Sequence, residues 1–321
     1  MGRKGDVTHS PFLPLSLSAF MSSSLVYCII LNLNGKSLLL ETLASVQQMT
    51  YPNFKIIVVD NGSNDGSQAD VRRQYPQALL LENGKNLGFG EGNNVGMRYA
   101  IAHGADWVFL LNNDILVDSN LLSCLMKTAA GDTRIGILAP KIYYQSQPEK
   151  LWYAGGRVNF FTGVISHRGL RENDRGQYDQ ITDTEYVTGC AMLIRRAVLE
   201  QVGEFDPAYY PIYCEDADLS ERARRAGYRL VYVPQATLWH KVSAFSGGGL
   251  TPFKTKLKVE HNLIFFRRYA RWYHWLTIPW CIAALSLVFV GKELLKGNFG
   301  IIAALLRGFA RAPAKSKSSR A

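Results

Sequence analysis

The sequence predicts an α/β fold: a mostly parallel, Rossmann-like central sheet flanked by helices, followed by C-terminal helices that associate with a membrane. Three observations predict it. Short apolar runs alternate with helical periods up to about residue 130, the rhythm of a parallel sheet. Polar clusters rich in Asn, Asp and Gly follow these runs, where such sheets gather their ligands. An aromatic-flanked apolar stretch bordered by Lys and Arg comes near the end of the chain.

Taken in order, Leu25 to Leu33 reads as a buried first strand, closed by Asn32, Asn34 and Gly35. Lys36 to Gln48 carries Leu39, Leu40, Leu43 and Val46 at helical spacing. Phe54 to Val59 is a second strand, followed by the loop Asp60-Asn61-Gly62-Ser63-Asn64-Asp65-Gly66-Ser67. A helix over Gln68 to Tyr75 and a strand over Ala78 to Leu81 precede a glycine-rich loop, Glu82 to Asn94, which opens a helix from about Val95 to His103. Trp107 to Leu111 is a fourth strand ending at Asn112-Asn113-Asp114. Further on, Gly136 to Tyr143 reads as a strand, Trp152 to Ser166 as a strand pair, and Tyr186 to Ile194 as a strand interrupted at Gly189. Glu215 to Ala226 is a helix stopped by Gly227, and Arg229 to Val233 a strand stopped by Pro234.

Composition narrows the class. A 47% hydrophobic, 19% charged chain of 321 residues can build a sizeable core, which excludes wholesale disorder. The five cysteines form no C-x-x-C, so neither a disulfide framework nor a structural zinc site is indicated. The net charge of +10 is concentrated beyond residue 250, beside apolar segments, and favours a membrane surface over nucleic acid. Residues 1–24, broken by Pro11 and Pro14, read as a disordered extension upstream of a start at Met21.

Four constellations could carry chemistry. Asp60, at a strand end with Asn61, Ser63 and Asp65 around it, could accept hydrogen bonds from a ribose or base; an Asx-rich turn would look the same. Asp114 could bind a hard divalent cation through oxygen, or cap a helix from Ile115 to Lys127. Glu215-Asp216-Ala217-Asp218 places more carboxylates at a helix start than capping needs, and one could act as a general base. Trp239-His240 lies before a Ser/Gly-rich stretch, Ser243 to Gly249, and could complete a metal site.

In their joint order, these motifs together with Asn86 to Asn94 and Thr188-Gly189-Cys190-Ala191 resemble glycosyltransferase family 2, on the branch of rhamnosyltransferase-like and galactofuranosyltransferase-like enzymes, from about Leu25 to Arg268. The resemblance implies a GT-A fold and inversion at the anomeric carbon. It implies a donor wall of Asn32, Asn34, Asp60, Asn61, Ser63, Asp65, Asn86, Gly88, Asn94, Asn113, Gly189 and Cys190. Asp216 would be the catalytic base, Glu215 and Asp218 would lie on the acceptor side, and Asp114 and His240 would hold Mg²⁺ or Mn²⁺. The family's Asp-x-Asp motif is departed from at Asn112, which offers a neutral oxygen instead of a carboxylate.

Leu276 to Val290 falls short of the about 20 apolar residues a perpendicular span needs. With Phe299 to Ala310 it reads as two helices lying in a membrane interface; a buried core helix is the alternative. The expected organisation is therefore an extension (1–24), a catalytic domain (25–268) and a membrane-associating region (269–321). The expected function is transfer of a sugar from a nucleotide-diphosphate donor such as dTDP-rhamnose to a glycan or lipid-linked acceptor at the cytoplasmic face of the plasma membrane. The competing readings are an inactive scaffold of the same fold and a sugar nucleotidyltransferase. Against the latter, strand one is followed by a single glycine and lysine, Gly35 and Lys36, rather than a phosphate-gripping loop.

Overall fold

A computed structural model describes residues 24–242 and 250–311. The extension before Ser24, the Ser243–Gly249 stretch and the basic residues Lys315, Lys317 and Arg320 lie outside the described residues.

The N-terminal half alternates as the apolar periods require: β1 (Val26–Asn32), α1 (Lys36–Val46), β2 (Phe54–Asp60), α2 (Ser67–Gln74), β3 (Leu79–Glu82), α3 (Gly88–Ala102) and β4 (Trp107–Asn112). Strands β3, β2, β1 and β4 lie side by side and parallel. In β1, β2 and β4 most apolar side chains are buried on both faces, which is why the runs are continuous rather than alternating, whereas the edge strand β3 is only half-buried. The register pairs Asn32 with Asp60 and Leu31 with Asn112, so three polar strand ends reach one level of the sheet.

The second half extends the sheet. It contributes β5 (Ile115–Val117), α4 (Leu121–Ala130), β6 (Ile135–Tyr144), β7 (Gln147–Tyr153), the hairpin β8 (Gly156–Asn159) and β9 (Val164–His167), β10 (Thr182–Asp183) and β11 (Ala191–Arg195). Then come α5 (Arg196–Val202), α6 (Glu215–Arg225) and β12 (Arg229–His240). Strand β11 sits antiparallel between β4 and β6, and β12 runs parallel to β6.

Four local expectations change. Residues Ile115 to Val117 pair with β12 instead of opening a helix, so Asp114 caps nothing. Strand β12 passes through Pro234, where a register shift between Val233 and Thr237 absorbs the missing donor. His240 consequently ends a strand paired on both sides, opposite Ile115 and Tyr144. The helix expected near Val95 begins at Gly88, inside the glycine-rich segment. The strand expected from Tyr186 is formed only from Ala191.

The chain then forms α7 (Pro252–Tyr269), α8 (Ile278–Leu295) and α9 (Phe299–Arg311). Helix α7 was not legible from apolar periodicity, yet its start is conventional: Thr251 Oγ1 accepts from the Lys254 N–H, and Pro252 occupies the first turn. Pro279 likewise stands in the first turn of α8 rather than inside it. Phe265, Phe266 and Ile278 bury against Val158, Tyr186 and Tyr209 in a second core. Only 11% of the α8 apolar window is buried, which excludes the core-helix reading.

One polar cluster ties this layer together. Asp218 is wholly buried and accepts from the Tyr209 hydroxyl at 3.1 Å, the Tyr269 hydroxyl at 2.6 Å, Arg268 at 2.8 Å and Arg222 at 2.8 Å. Removing one partner of a buried ion pair costs about 3–5 kcal/mol, an upper figure here because Asp218 is buried while both guanidinium groups are partly exposed. Asp218→Ala is therefore expected to lower the thermal midpoint markedly, read by calorimetry; an unchanged midpoint would show that the cluster does not hold α7 to α6.

Candidate active site

Asn32 anchors the first half of the site. Its amide donates to Ser63 Oγ at 3.2 Å and Ser67 Oγ at 3.1 Å, with Asp60 Oδ2 at 3.5 Å, and its oxygen accepts from Asn113 Nδ2 at 2.8 Å. Asp60 Oδ1 accepts from the Gly62 and Ser63 N–H groups and from Gln68 Nε2. Gly62 has φ 86°, and a β-carbon there would stand 2.7 Å from the Lys85 backbone. Asn34 accepts from the Asn64 N–H, and Asp65 from the Lys36 and Ser67 N–H groups. Burial opposes the Asp65 charge, but the bonds from Ser67 and Lys36 outweigh it and its pKa is lowered. These residues form one interlocked rim over the ends of β1 and β2.

Of the other amides expected in the donor wall, Asn61 and Asn94 are buried, while Asn86 is exposed. Asn61 donates to Asn86 Oδ1 and the Gly88 carbonyl, and accepts from Asn83 Nδ2 and the Leu87 N–H. Asn94 clamps Phe205, accepting from its N–H at 3.0 Å and donating to its carbonyl at 2.9 Å. Gly88, at φ 80°, has no room for a β-carbon against the Pro211 carbonyl. Asn61, Asn86, Gly88 and Asn94 therefore shape the wall from behind; Phe89 is the residue of this segment that lines the cavity. Periodicity could not separate the two uses, since a loop-bracing Asn and a ligand-binding Asn have the same sequence signature.

The cavity measures about 750 Å³. Asn112, Gly189, Cys190, Asp216 and His240 line one end of it. Beside it, Asp114 Oδ1 lies 3.1 Å from His240 Nε2, with both residues buried. Asp114 Oδ1 and His240 Nδ1 make no hydrogen bond among the described residues. Burial works against an imidazolium, yet Cys190 and Asp114 outweigh it and raise the His240 pKa, so a cation ligated there would take the place of the imidazole proton. A buried carboxylate oxygen without an aligned donor, facing an imidazole nitrogen, fits a divalent cation that both would ligate. Among the described residues no cluster of three His, Cys, Asp or Glu ligands forms.

Asp216 stands in the first turn of α6. Its Oδ2 accepts from the Gly189 N–H at 2.9 Å and its Oδ1 from the Ala217 N–H at 2.8 Å. Burial outweighs both bonds and raises its pKa. Tyr213 and Cys214, with φ 88° and 68°, turn the chain into this helix in a conformation unfavourable for side chains of their size. Gly189 packs on the Phe89 ring, which a β-carbon would meet at 3.0 Å.

The two neighbouring acids differ. Glu215 lines the cavity but is buried, and its Oε2 has no hydrogen-bond partner among the described residues. Asp218, expected on the acceptor side, is instead enclosed in the cluster with Arg222 and Arg268 and does not line the cavity. Sequence reasoning also missed Trp152, whose ring meets His240 edge-on at 4.6 Å, together with His167, Tyr186 and Lys258. Single aromatic or basic residues in strands and helices gave no signal that would have singled them out.

Residues 27–203 match the family model described as Glycosyl transferase family 2. N-acetylglucosaminyl-diphospho-decaprenol L-rhamnosyltransferase of Mycobacterium tuberculosis is 30% identical over 223 residues, which cover 64% of this chain and 72% of that protein. Rhamnosyltransferase WbbL of Escherichia coli is 27% identical over 195 residues, covering 57% and 70%. Among solved structures, the mannosyltransferase PcManGT from Pyrobaculum calidifontis, in complex with GDP-Man and Mn²⁺, superimposes with a TM-score of 0.59 at 17% identity over 91% of this chain and 88% of that one. That likeness is one of fold.

Burial, reinforced by the Asp216 charge, raises the Glu215 pKa well above its ordinary 4.5. The unfolded chain releases this proton in the ordinary range and the folded chain retains it, so stability falls as pH rises above about 4.5. Glu215→Gln should unfold at a higher temperature than wild type at pH 7.5, and the two midpoints should converge near pH 4. Equal midpoints at both pH values would mean that Glu215 finds a charge-stabilising partner.

Proposed function

The chain belongs to glycosyl transferase family 2 and is a glycosyltransferase; from this premise we propose an inverting transfer of rhamnose, from a nucleoside diphosphate donor such as dTDP-rhamnose, to a lipid-linked glycan. The observation that carries the proposal is Asp216, held by the Gly189 and Ala217 N–H groups on the same cavity as His240. The rhamnosyl specificity rests on the activities for which the two relatives are named, and the lipid-linked acceptor on that of the mycobacterial one.

In this mechanism Asp216 takes the proton of the acceptor hydroxyl. That oxygen forms a bond to the anomeric carbon as the bond to the donor diphosphate breaks on the opposite face. A carboxylate whose pKa is raised by burial is a stronger base than an ordinary aspartate, and its two N–H bonds aim it without neutralising it. Asp60, Ser63, Asn32, Asn34, Asp65 and Asn113 would meet the nucleoside, while Gly189 and Cys190 would leave room for the sugar ring. Asp114 and His240 would hold a divalent cation, which when bound neutralises charge on the leaving diphosphate. An imidazole ligand favours Mn²⁺ over Mg²⁺.

A membrane setting at the cytoplasmic face is part of the same proposal. It is supported by α8, the one described helix long and apolar enough to cross a bilayer, and by exposed Trp272 and Trp280 near its start.

Asp216→Asn keeps the shape and removes the basicity. Release of nucleoside diphosphate should fall by about 10²–10⁴-fold while donor affinity stays near wild type. A variant that retains most of the rate would place the base elsewhere. For the cation, His240→Ala should raise the Mn²⁺ concentration that gives half-maximal activity. Full activity of wild type in excess EDTA, after metal has been stripped, would remove the metal role of Asp114 and His240.

A further inference from the structure

The cavity does not end at the proposed base. From Asp216 it continues between α7, α8 and α9, and its character changes. Ile282, Leu285 and Phe289 project into it from one face of α8, at the spacing of successive helical turns. Leu305 and Phe309 of α9 close the other side. A nucleotide sugar and a glycan are polar, and neither would gain from such a wall. Leu285 remains 53% exposed although it lines the cavity, so this end opens outward, on the helix that carries the exposed Leu287 and Val288.

A cation lines the same cavity. Lys258 is the only lysine or arginine among the described residues lining the cavity. Its ammonium lies 5.1 Å from the centre of the Tyr213 ring, beside the strained turn that delivers Asp216. Lys258 is exposed along its side chain, so it can meet a charged group without first being freed from a buried pair.

We propose that the groove between α7, α8 and α9 binds the first units of the hydrocarbon chain of a phosphorylated lipid, with Lys258 taking the phosphate next to the acceptor sugar. The proposal rests on the glycosyl-transfer reading above and adds to it the place where the acceptor's lipid end is held. The one cavity offers each group such an acceptor needs: a carboxylate for the hydroxyl at Asp216, an ammonium for the phosphate at Lys258, and an apolar wall for the alkyl chain at Ile282, Phe289 and Leu305. Burying an alkyl chain against these side chains supplies affinity in proportion to apolar area. The ammonium supplies the selection for a charged headgroup.

The test is isothermal titration of the full-length protein in a non-ionic detergent with three probes: farnesyl diphosphate, farnesol and inorganic diphosphate. Farnesyl diphosphate should bind roughly tenfold or more tightly than either other probe, because it alone engages both the cation and the apolar wall. Lys258→Gln should weaken farnesyl diphosphate by roughly tenfold and leave farnesol unchanged. Phe289→Ser should weaken both chain-bearing probes, and dTDP should displace neither. Inorganic diphosphate binding as well as farnesyl diphosphate would overturn the proposal, as would displacement by dTDP or wild-type binding by both variants. Nucleoside diphosphate release from dTDP-rhamnose is measured on the same preparations. Failure of wild type in that assay withdraws the rhamnosyl-transfer reading, while the titration alone decides the lipid site.

Discussion

Asp218 is the constraint on which the rest of the site depends. It is wholly buried, and a carboxylate there is tolerable only because two hydroxyls and two guanidinium groups converge on it. The four donors come from different parts of the chain. Tyr209 lies before α6, Arg222 on it, and Arg268 and Tyr269 at the end of α7. Satisfying one charge therefore fixes the start of α6 against α7. Asp216, two residues before Asp218, inherits its position from that contact, and so does the helix that carries Lys258.

Three acids within one helical turn meet three different fates, and position on the helix decides which. Asp218 is enclosed and paired. Glu215 is buried without a partner for Oε2, so burial holds it protonated well above the ordinary range. Asp216 reaches the cavity and receives only two backbone N–H bonds, which aim it while burial raises its pKa. A carboxylate must be oriented and still be able to accept a proton to act as a base. Of the three, Asp216 alone combines both conditions with access to the cavity.

The parallel half of the fold was legible because its strands are buried on both faces. Continuous runs such as Cys28 to Leu31 and Ile56 to Val59 have no other ready explanation, and polar residues at their ends mark where the sheet stops. The rim of Asn32, Asp60 and Asn113 followed from that alone. The errors came where tertiary pairing overrides local preference. Asn112-Asn113-Asp114 looked equally like a helix cap, and only pairing of Ile115 with His240 makes the next residues a strand. Pro234 looked like a terminator until a bulge let β12 continue to His240. Asn61, Asn86 and Asn94 carry the chemistry of ligand contacts but serve the backbone around them, a distinction set by folded geometry rather than residue type. Helix α7 was hidden because its buried side chains, among them Thr255 and His261, are not all apolar.

The polar rim lies outside the cavity lining, and the two come largely from different stretches of the chain. The rim at the strand ends belongs to β1, β2 and β4 and the loops after them, within residues 27–203 that match the family model. Asp216, His240, Lys258 and the walls from α8 and α9 come after that match. A transferase has to recognise two substrates, and the polar rim and the largely apolar cavity differ as a nucleotide differs from a lipid. Gly189 and Asp216 both line the cavity and are joined by one N–H bond of 2.9 Å. Gly189 has no side chain, so its backbone approaches both Phe89 on the sheet side and Asp216 on the helix side. A β-carbon there would press on Phe89 and shift the peptide that aims the carboxylate. The proposed base would thus be aligned by a contact between two separate segments of the chain, which neither could supply alone.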